Sequence, residues 1–541
     1  MNRRRVFGLS RLCGADALFV AVLIVVCGLS AFIGFPAPLS NYAHDTFFFL
    51  DNAYRVAQGQ VPDRDFSSAW GPVIYLIDAS GLILSGMRPA GMGYANALFG
   101  ALIAAWAYFV TRTRGSSVGA CAAGVYTVLL VTAPFPIGNS PLDFGYAMLY
   151  NRYGYALFGI IMMECAPRAL PPGGAYGAIS TGVAVGLLAF LKISYAIVAL
   201  PFVGLLTICS GVGLDDLRRR IFGLCGGFIA LAMLVMGYLR FDVTDMLGDL
   251  AMAATARRVS LDPVRSVTVF DMAQCVVVLL FAGWVYQGRA ADGRPERLRW
   301  ALFAVLTVVT GYLLYISNQQ MSTFPLNGYA AVALVTGSTP ILAGKGLKWL
   351  DFPRTLLLAT CFLPFCVENG AALASAALAR PHKTETNELA SPERGANLIF
   401  GSVSGSAKSE TMGVEYVEAV NDGLALLRRR SGPRDGVLTF DEFNPFNYLL
   451  DRPSPRGGFA ATAYDYVFCD AAHPDAERFF GDTRYVMVRK YTRAGQDDVE
   501  RGNVLALMRL YGSTLRVHFA VVEETEHWVL WRRIDAPATA G

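Results

Sequence analysis

Long apolar runs separated by short polar turns fill most of the chain up to position 380. They fall near 17–35, 92–111, 117–134, 152–166, 175–190, 194–210, 221–239, 267–287, 300–317, 326–343 and 355–379. Each approaches the ~20 apolar residues that carry a helix across a bilayer, so the pattern predicts about eleven membrane helices. The two runs meeting at Lys192 also read as one broken hairpin. The shorter run Val73 to Gly86, interrupted by Asp78, reads as a helix lying at the membrane interface. Beyond about Arg380 the pattern changes: a polar stretch, RPHKTETNELASPERG, leads to helical periodicity in VEYVEAVNDGLALLRRR. Short buried strands follow at GVLTF and RYVMV, and LRVHFAVVEETEHWVLWRR reads as a strand pair. The expected fold is an α-helical polytopic membrane region, 1–380, followed by a small α/β domain, 381–541.

Basic residues set the orientation. Arg3, Arg4 and Arg5 precede the first run, and Arg218, Arg219, Arg220, Arg289, Arg294, Arg297 and Arg299 cluster between later ones. The positive-inside rule then places the N-terminus in the cytoplasm. With an odd number of crossings, the first loop, 36–91, and the 381–541 domain lie outside the inner membrane. Composition agrees: of 541 residues 54% are hydrophobic and 16% charged, with mean hydropathy +0.41, where a soluble domain has roughly a quarter charged. A net charge of +4 from dispersed basic residues argues against a nucleic-acid partner and for membrane lipids. Ten cysteines are present, only Cys469 lies in the polar C-terminal region, and no CxxC pair occurs, so neither a disulfide framework nor a zinc site is indicated.

The first loop breaks the apolar pattern most sharply. In SNYAHDTFFFLDNAYRVAQGQVPDRDFSSAWGP, Ser40 to Pro72, Asp45 follows His44 at the start of an amphipathic helix that stops at Gly59 and is expected to lie along the outer membrane surface. Asp63 and Asp65 then flank Arg64 in a proline-bounded turn. A carboxylate at a helix start also serves as a plain cap, and the turn's charges also serve as internal ion pairs. At this density beside hydrocarbon, charges are expected to face a water-filled working site.

A short N-terminus, one apolar run, an early Asp, an amphipathic helix, GQVPDRDF and WGPVIYL together resemble the GT-C superfamily of membrane glycosyltransferases, nearest the aminoarabinose transferase and protein O-mannosyltransferase type. LYNRYGYAL (149–157) and FLKISYAIVALP (190–201) are weaker echoes. The resemblance implies inverting transfer of a sugar from a polyprenyl-phosphate-linked donor to a lipid, glycan or protein acceptor at the outer face. It implies Asp45 as general base or acceptor-positioning group, with Asp143 of the second outer loop as its acidic partner, although Asp143 also suits a helix cap. Such chemistry needs a carboxylate at the acceptor and cations at the departing phosphate. His44, Asp63, Arg64, Asp65, Arg152 and Lys192 are the candidate substrate-binding residues, with Gln319 as an amide for sugar hydroxyls. Asp441, Glu442, Asn444 and Asn447 are candidates to line the cleft from the C-terminal domain. No cofactor is specified, and a divalent metal stays open wherever two carboxylates meet. A transporter, a polysaccharide polymerase or ligase, and a noncatalytic scaffold remain alternatives. A transporter needs ionisable groups near mid-membrane in both halves, and Glu368 is the exception that sits within a run.

Overall fold

The structure, a computed structural model, describes residues 14–34, 38–39, 44–167, 175–209, 213–257, 266–288, 294–318, 320–342, 351–379, 388–395, 398–401, 407–491 and 498–534. Arg3, Arg4, Arg5, Arg289 and the first part of the polar stretch after Arg380 lie outside the described residues.

In chain order the helical region runs α1 (Gly14–Ile33), α2 (Asp45–Ala57), α3 (Pro72–Leu84), α4 (Gly91–Arg112), α5 (Ser117–Thr132), α6 (Leu149–Cys165), α7 (Ala175–Leu191), α8 (Ile193–Ile208), α9 (Leu214–Tyr238), α10 (Val243–Ala256), α11 (Val269–Gly288), α12 (Arg294–Ser317), α13 (Leu326–Leu342), α14 (Asp351–Cys361) and α15 (Leu363–Leu378). A helix occupies each predicted apolar run, the last of them as α14 and α15, which meet at Phe362. Among the described residues, α1, α4, α9, α11, α12 and the α14/α15 pair are long and apolar enough to cross a membrane by length and composition. Their outward side chains suit hydrocarbon: Ile24, Leu102, Phe222, Leu234 and Leu280 are all exposed.

Two helices differ from the sequence-based expectation in the same way. α2 was expected to lie half-buried on a membrane surface, yet Thr46 through Arg55 are all buried. α3, expected at the interface, packs against α2, α4 and α7 with Asp78 fully buried. For α3 the cause is that packing between helices; for α2 it is the C-terminal region, which covers the first loop. Strand β1 (Pro38–Leu39) pairs in parallel with β2 (Ile399–Phe400). Asn52 donates to Ala460 O (2.9 Å), Arg55 to Gly457 O (3.2 Å) and Gln60 to Ser454 O (2.6 Å), while Ser67 N–H donates to Gly458 O (3.0 Å). Side-chain donors that looked membrane-facing in the sequence are thus spent on backbone carbonyls more than 390 positions away.

The C-terminal region carries a four-stranded sheet, β3 (Val437–Phe440), β4 (Tyr485–Arg489), β5 (Phe519–Glu524) and β6 (Trp528–Arg533), in the order β3-β4-β6-β5. β3 and β4 are parallel and every residue of both is buried. Helices Ala407–Arg430 and Asp498–His518 pack on the sheet. The second helix takes in LRVH, which reads as strand in the sequence. Leu507, Tyr511 and Leu515, four residues apart, are all buried, and that spacing is one face of a helix.

Candidate functional site

The site begins where α2 starts. His44 Nε2 lies 3.5 Å from Asp45 Oδ1 and 3.8 Å from Glu500 Oε1 of the C-terminal region. The Asp45 carboxylate accepts no hydrogen bond from a described backbone N–H, so no capping bond to it is seen. Burial pushes its pKa up to about 6, against the opposing pull of His44. Burial alone would lower His44, but Asp45, Glu500, Glu442 and Asp441 around it together raise it. Glu442 is pushed up to about 8 by burial and its acidic neighbours, His44 opposing, and Asp441 is raised by burial against the Arg489 charge. The Tyr491 hydroxyl bridges Asp441 Oδ1 (2.9 Å) and Glu500 Oε2 (3.1 Å). His44, Glu442 and Glu500 each bring one ligand atom to within 4.8 Å of the others. One imidazole and two carboxylates form a donor set that suits zinc or manganese.

An aromatic wall connects this carboxylate end to a cationic end. The His44 ring faces Phe443 (5.6 Å between centroids), and Phe443 faces Phe48 (6.1 Å). Phe48 meets Trp70 (4.7 Å), and Trp70 in turn meets Tyr150 (5.6 Å) and Tyr466 (6.4 Å). Beyond them stand two cations, Lys192 with Nζ 4.3 Å from the Tyr150 centroid and Arg257 with Cζ 5.0 Å from that of Tyr466. The charges of Asp45 and Arg257 both reach the Tyr150 hydroxyl.

Local sequence explains how Lys192 is placed. α7 ends and α8 begins on either side of this single residue, which is extended (φ −159°, ψ 109°). Its ammonium donates to Asn151 Oδ1 at 3.1 Å. The break is gripped by WGP: Gly71 N–H donates to Leu191 O (3.1 Å), and a Cβ on Gly71 would stand 1.9 Å from Phe190 O. Only glycine allows that approach.

The remaining sequence candidates lie elsewhere. Arg64 is bound to Asp65 (2.6 Å), whose carboxylate also takes the Val61 N–H (2.8 Å) and faces Arg456 (3.6 Å). Asp63 is buried with φ 67°, near Asp249 and Arg478, and its carboxyl oxygens have no hydrogen-bond partner among the described residues. Arg152 is buried and holds Phe135 O (2.8 Å), Leu130 O (2.9 Å) and Asn369 Oδ1 (2.8 Å), a clasp joining α6 to α5, the α5–α6 connection and α15. The charge of Glu368, the acidic residue inside the last run, reaches Arg152. Asp143 sits in a turn, its N–H on Ser140 O (2.9 Å), with no described contact to Asp45. Gln319 lies outside the described residues.

The sequence had pointed to Asp45, His44, Lys192 and Glu442, but not to Glu500, Trp70, Tyr150, Tyr466 or the placement of Arg257. The aromatic residues were present in WGP, LYNRYGYAL and ATAYDYVF. Their only local signal is aromatic residues beside polar ones in predicted loops.

No protein-family model matches the sequence, and no curated protein is similar to it in sequence. Among solved structures, the chain is similar to ArnT from Cupriavidus metallidurans in the apo state, at 13% identity and TM-score 0.48 over 96% of this chain and 97% of that one. The same enzyme bound to undecaprenyl phosphate aligns at 13% identity and TM-score 0.45, over 97% and 98%. Arabinofuranosyltransferase AftD from Mycobacteria aligns at 13% identity and TM-score 0.47 over 97% of this chain, which spans 40% of AftD. At these scores the likeness assigns neither fold nor activity to this chain.

Proposed function

We propose that the chain is a membrane glycosyltransferase of the GT-C type, moving a sugar from a polyprenyl-phosphate carrier to an acceptor hydroxyl or amine at the outer surface of the cytoplasmic membrane. The observation that carries this is the pairing of ends. A carboxylate with raised pKa stands at one end of an aromatic wall, and Lys192 and Arg257 stand at the other.

The chemistry follows from that polarity. Asp45 removes the acceptor proton as the acceptor attacks the anomeric carbon from the face opposite the carrier, and a pKa near 6 makes it a stronger base than an exposed aspartate. The bond to the carrier phosphate breaks, and Lys192 and Arg257 take up the charge the phosphate gains. Attack and departure on opposite faces give inversion. The aromatic wall of Phe48, Trp70 and Tyr150 suits the apolar face of a sugar ring. His44 orients Asp45. His44, Glu442 and Glu500 are the residues that would hold a divalent cation, which would add positive charge beside Asp45. On this reading the loop side of the helices is extracytoplasmic. Asp63, Arg64 and Asp65 serve to dock the C-terminal region, and Arg152 serves the helix bundle.

The test is transfer, or slow hydrolysis, of labelled polyprenyl-phosphate sugars by protein reconstituted in lipid. Asp45→Asn should fold and lose about 10² or more in rate, the lower range for a general base. Well-folded wild-type protein that neither binds nor turns over any such donor would overturn the reading.

A further inference from the structure

At the end of the helices remote from the C-terminal region, a cavity of about 310 Å³ opens between the turn after α4 and helices α6, α7, α8, α9 and α12. Its polar side chains are Arg114, Arg220, Arg299, Glu164, Thr181 and Thr207. Arg114 is paired with Glu164 and also donates to the carbonyls of Met163 (3.0 Å) and Glu164. Gly177 of α7 leaves room for that pair, since a Cβ there would stand 2.5 Å from Arg114 Nη2 and 2.8 Å from Glu164 Oε2. Arg220 is half-buried and Arg299 is 8% exposed. They are near enough for their like charges to oppose one another. Among the described lining residues, three guanidiniums stand with one carboxylate, and the charge of Asp216 also reaches Arg220, so the polar part of the cavity is predominantly basic.

The rest of the lining is hydrocarbon that continues onto the outside of the helices. Leu200, Ile208 and Ile221 line the cavity and are also 54%, 72% and 50% exposed. A soluble anion would gain nothing from such a rim. An amphiphile with an anionic head and alkyl chains matches both parts, and basic pockets between membrane helices bind acidic head groups in this way.

We propose that this cavity binds the phosphate head group of an acidic phospholipid from the membrane leaflet opposite the C-terminal region. Arg220 and Arg299 hold the phosphate, and the acyl chains lie along Leu200, Ile208 and Ile221. The proposal rests on the helices spanning a membrane, and it is independent of the sugar-transfer reading because its readout is bound lipid.

The test uses the full chain in nanodiscs of phosphatidylcholine doped with phosphatidylglycerol, with lipids that stay bound after extraction counted by native mass spectrometry. Wild type should retain phosphatidylglycerol over phosphatidylcholine by about fivefold per engaged guanidinium. Arg220→Gln should bring the ratio down by about that factor. Arg218→Gln, two positions away on a different face of α9 with its side chain 73% exposed, should leave the ratio unchanged. Gly204→Leu fills the cavity from a position where a Cβ meets nothing within 4 Å, and should abolish retention in a folded protein. The proposal is overturned if wild type shows no preference, if Arg218→Gln lowers it as much as Arg220→Gln, or if glycerol phosphate displaces the lipid at comparable concentration.

Discussion

The ammonium of Lys192 stands 4.3 Å from the centroid of the Tyr150 ring, in the one-residue gap between α7 and α8. An ammonium over an aromatic face in a desolvated site is held by about 2 kcal/mol. Tyr150→Phe keeps the ring and should leave donor affinity within about twofold, whereas Tyr150→Leu should weaken it by roughly 30-fold, the same 2 kcal/mol as an equilibrium constant. Lys192→Gln should weaken it at least as much without unfolding the protein. Equilibrium binding of a polyprenyl phosphate checks the series, and equal affinities for the Phe and Leu variants would remove Tyr150 from the site.

Gly71 sets that gap. A methyl group there would meet backbone atoms, Phe190 O at 1.9 Å and Phe190 C at 2.3 Å, which cannot rotate away. Gly71→Ala should therefore cost at least the ~1–3 kcal/mol of an overpacked core and shift α3 away from the Lys192 break. The expected result is a lower thermal midpoint together with weaker donor binding. Gly59→Ala, where nothing lies within 4 Å but φ is +90°, should lower the midpoint through backbone strain alone and leave donor binding intact.

How much of this was legible before the structure depended on how local each signal is. The apolar runs announce their helices because each helix makes its own backbone bonds and needs only a hydrophobic exterior. Lys192 stands out because an ammonium in an apolar stretch is costly without a partner. Asp45 stands out at the head of a patterned helix. The second face of α2 could not be read, because what covers it is chain more than 390 positions on, such as Ala460 O on Asn52 and Gly457 O on Arg55. The charges of VPDRDF were legible as charges, but their use was not. Arg64 and Asp65 satisfy each other, and Arg478 meets Asp249 (3.1 Å) and the Asp63 carbonyl (2.7 Å). Glu500 joins His44 only through the fold of the C-terminal region.

The imidazole and two carboxylates of His44, Glu442 and Glu500 give a direct cation test. Zinc or manganese should raise the thermal midpoint of the purified chain, because a ligand bound to the folded state alone stabilises it by mass action. Glu442→Gln and Glu500→Gln should each blunt that rise, and a chelator should reverse it in wild type. An equal rise in both variants would mean that the cation binds elsewhere.

Asp63 carries the pH prediction. Its carboxyl is buried without a hydrogen-bond partner among the described residues, and burial followed by the Asp249 charge raises its pKa well above the usual carboxylate value, with Arg478 opposing. Asp249 itself is pushed up to about 6, chiefly by burial. A carboxyl with a raised folded-state pKa stabilises the fold fully below its unfolded value near 3.8, and that contribution is lost as pH rises through the folded value. The docking of the C-terminal region on the first loop should therefore weaken from pH 5 to pH 8. Asp63→Asn keeps the side-chain shape, tolerates φ 67° and cannot ionise, so it should raise the thermal midpoint at pH 8, change it little near pH 4 and leave sugar transfer intact. Asp63→Ala should lose part of that gain to the ~1–2 kcal/mol cost of a left-handed backbone. An Asp63→Asn protein that is folded but inactive would return Asp63 to the substrate site.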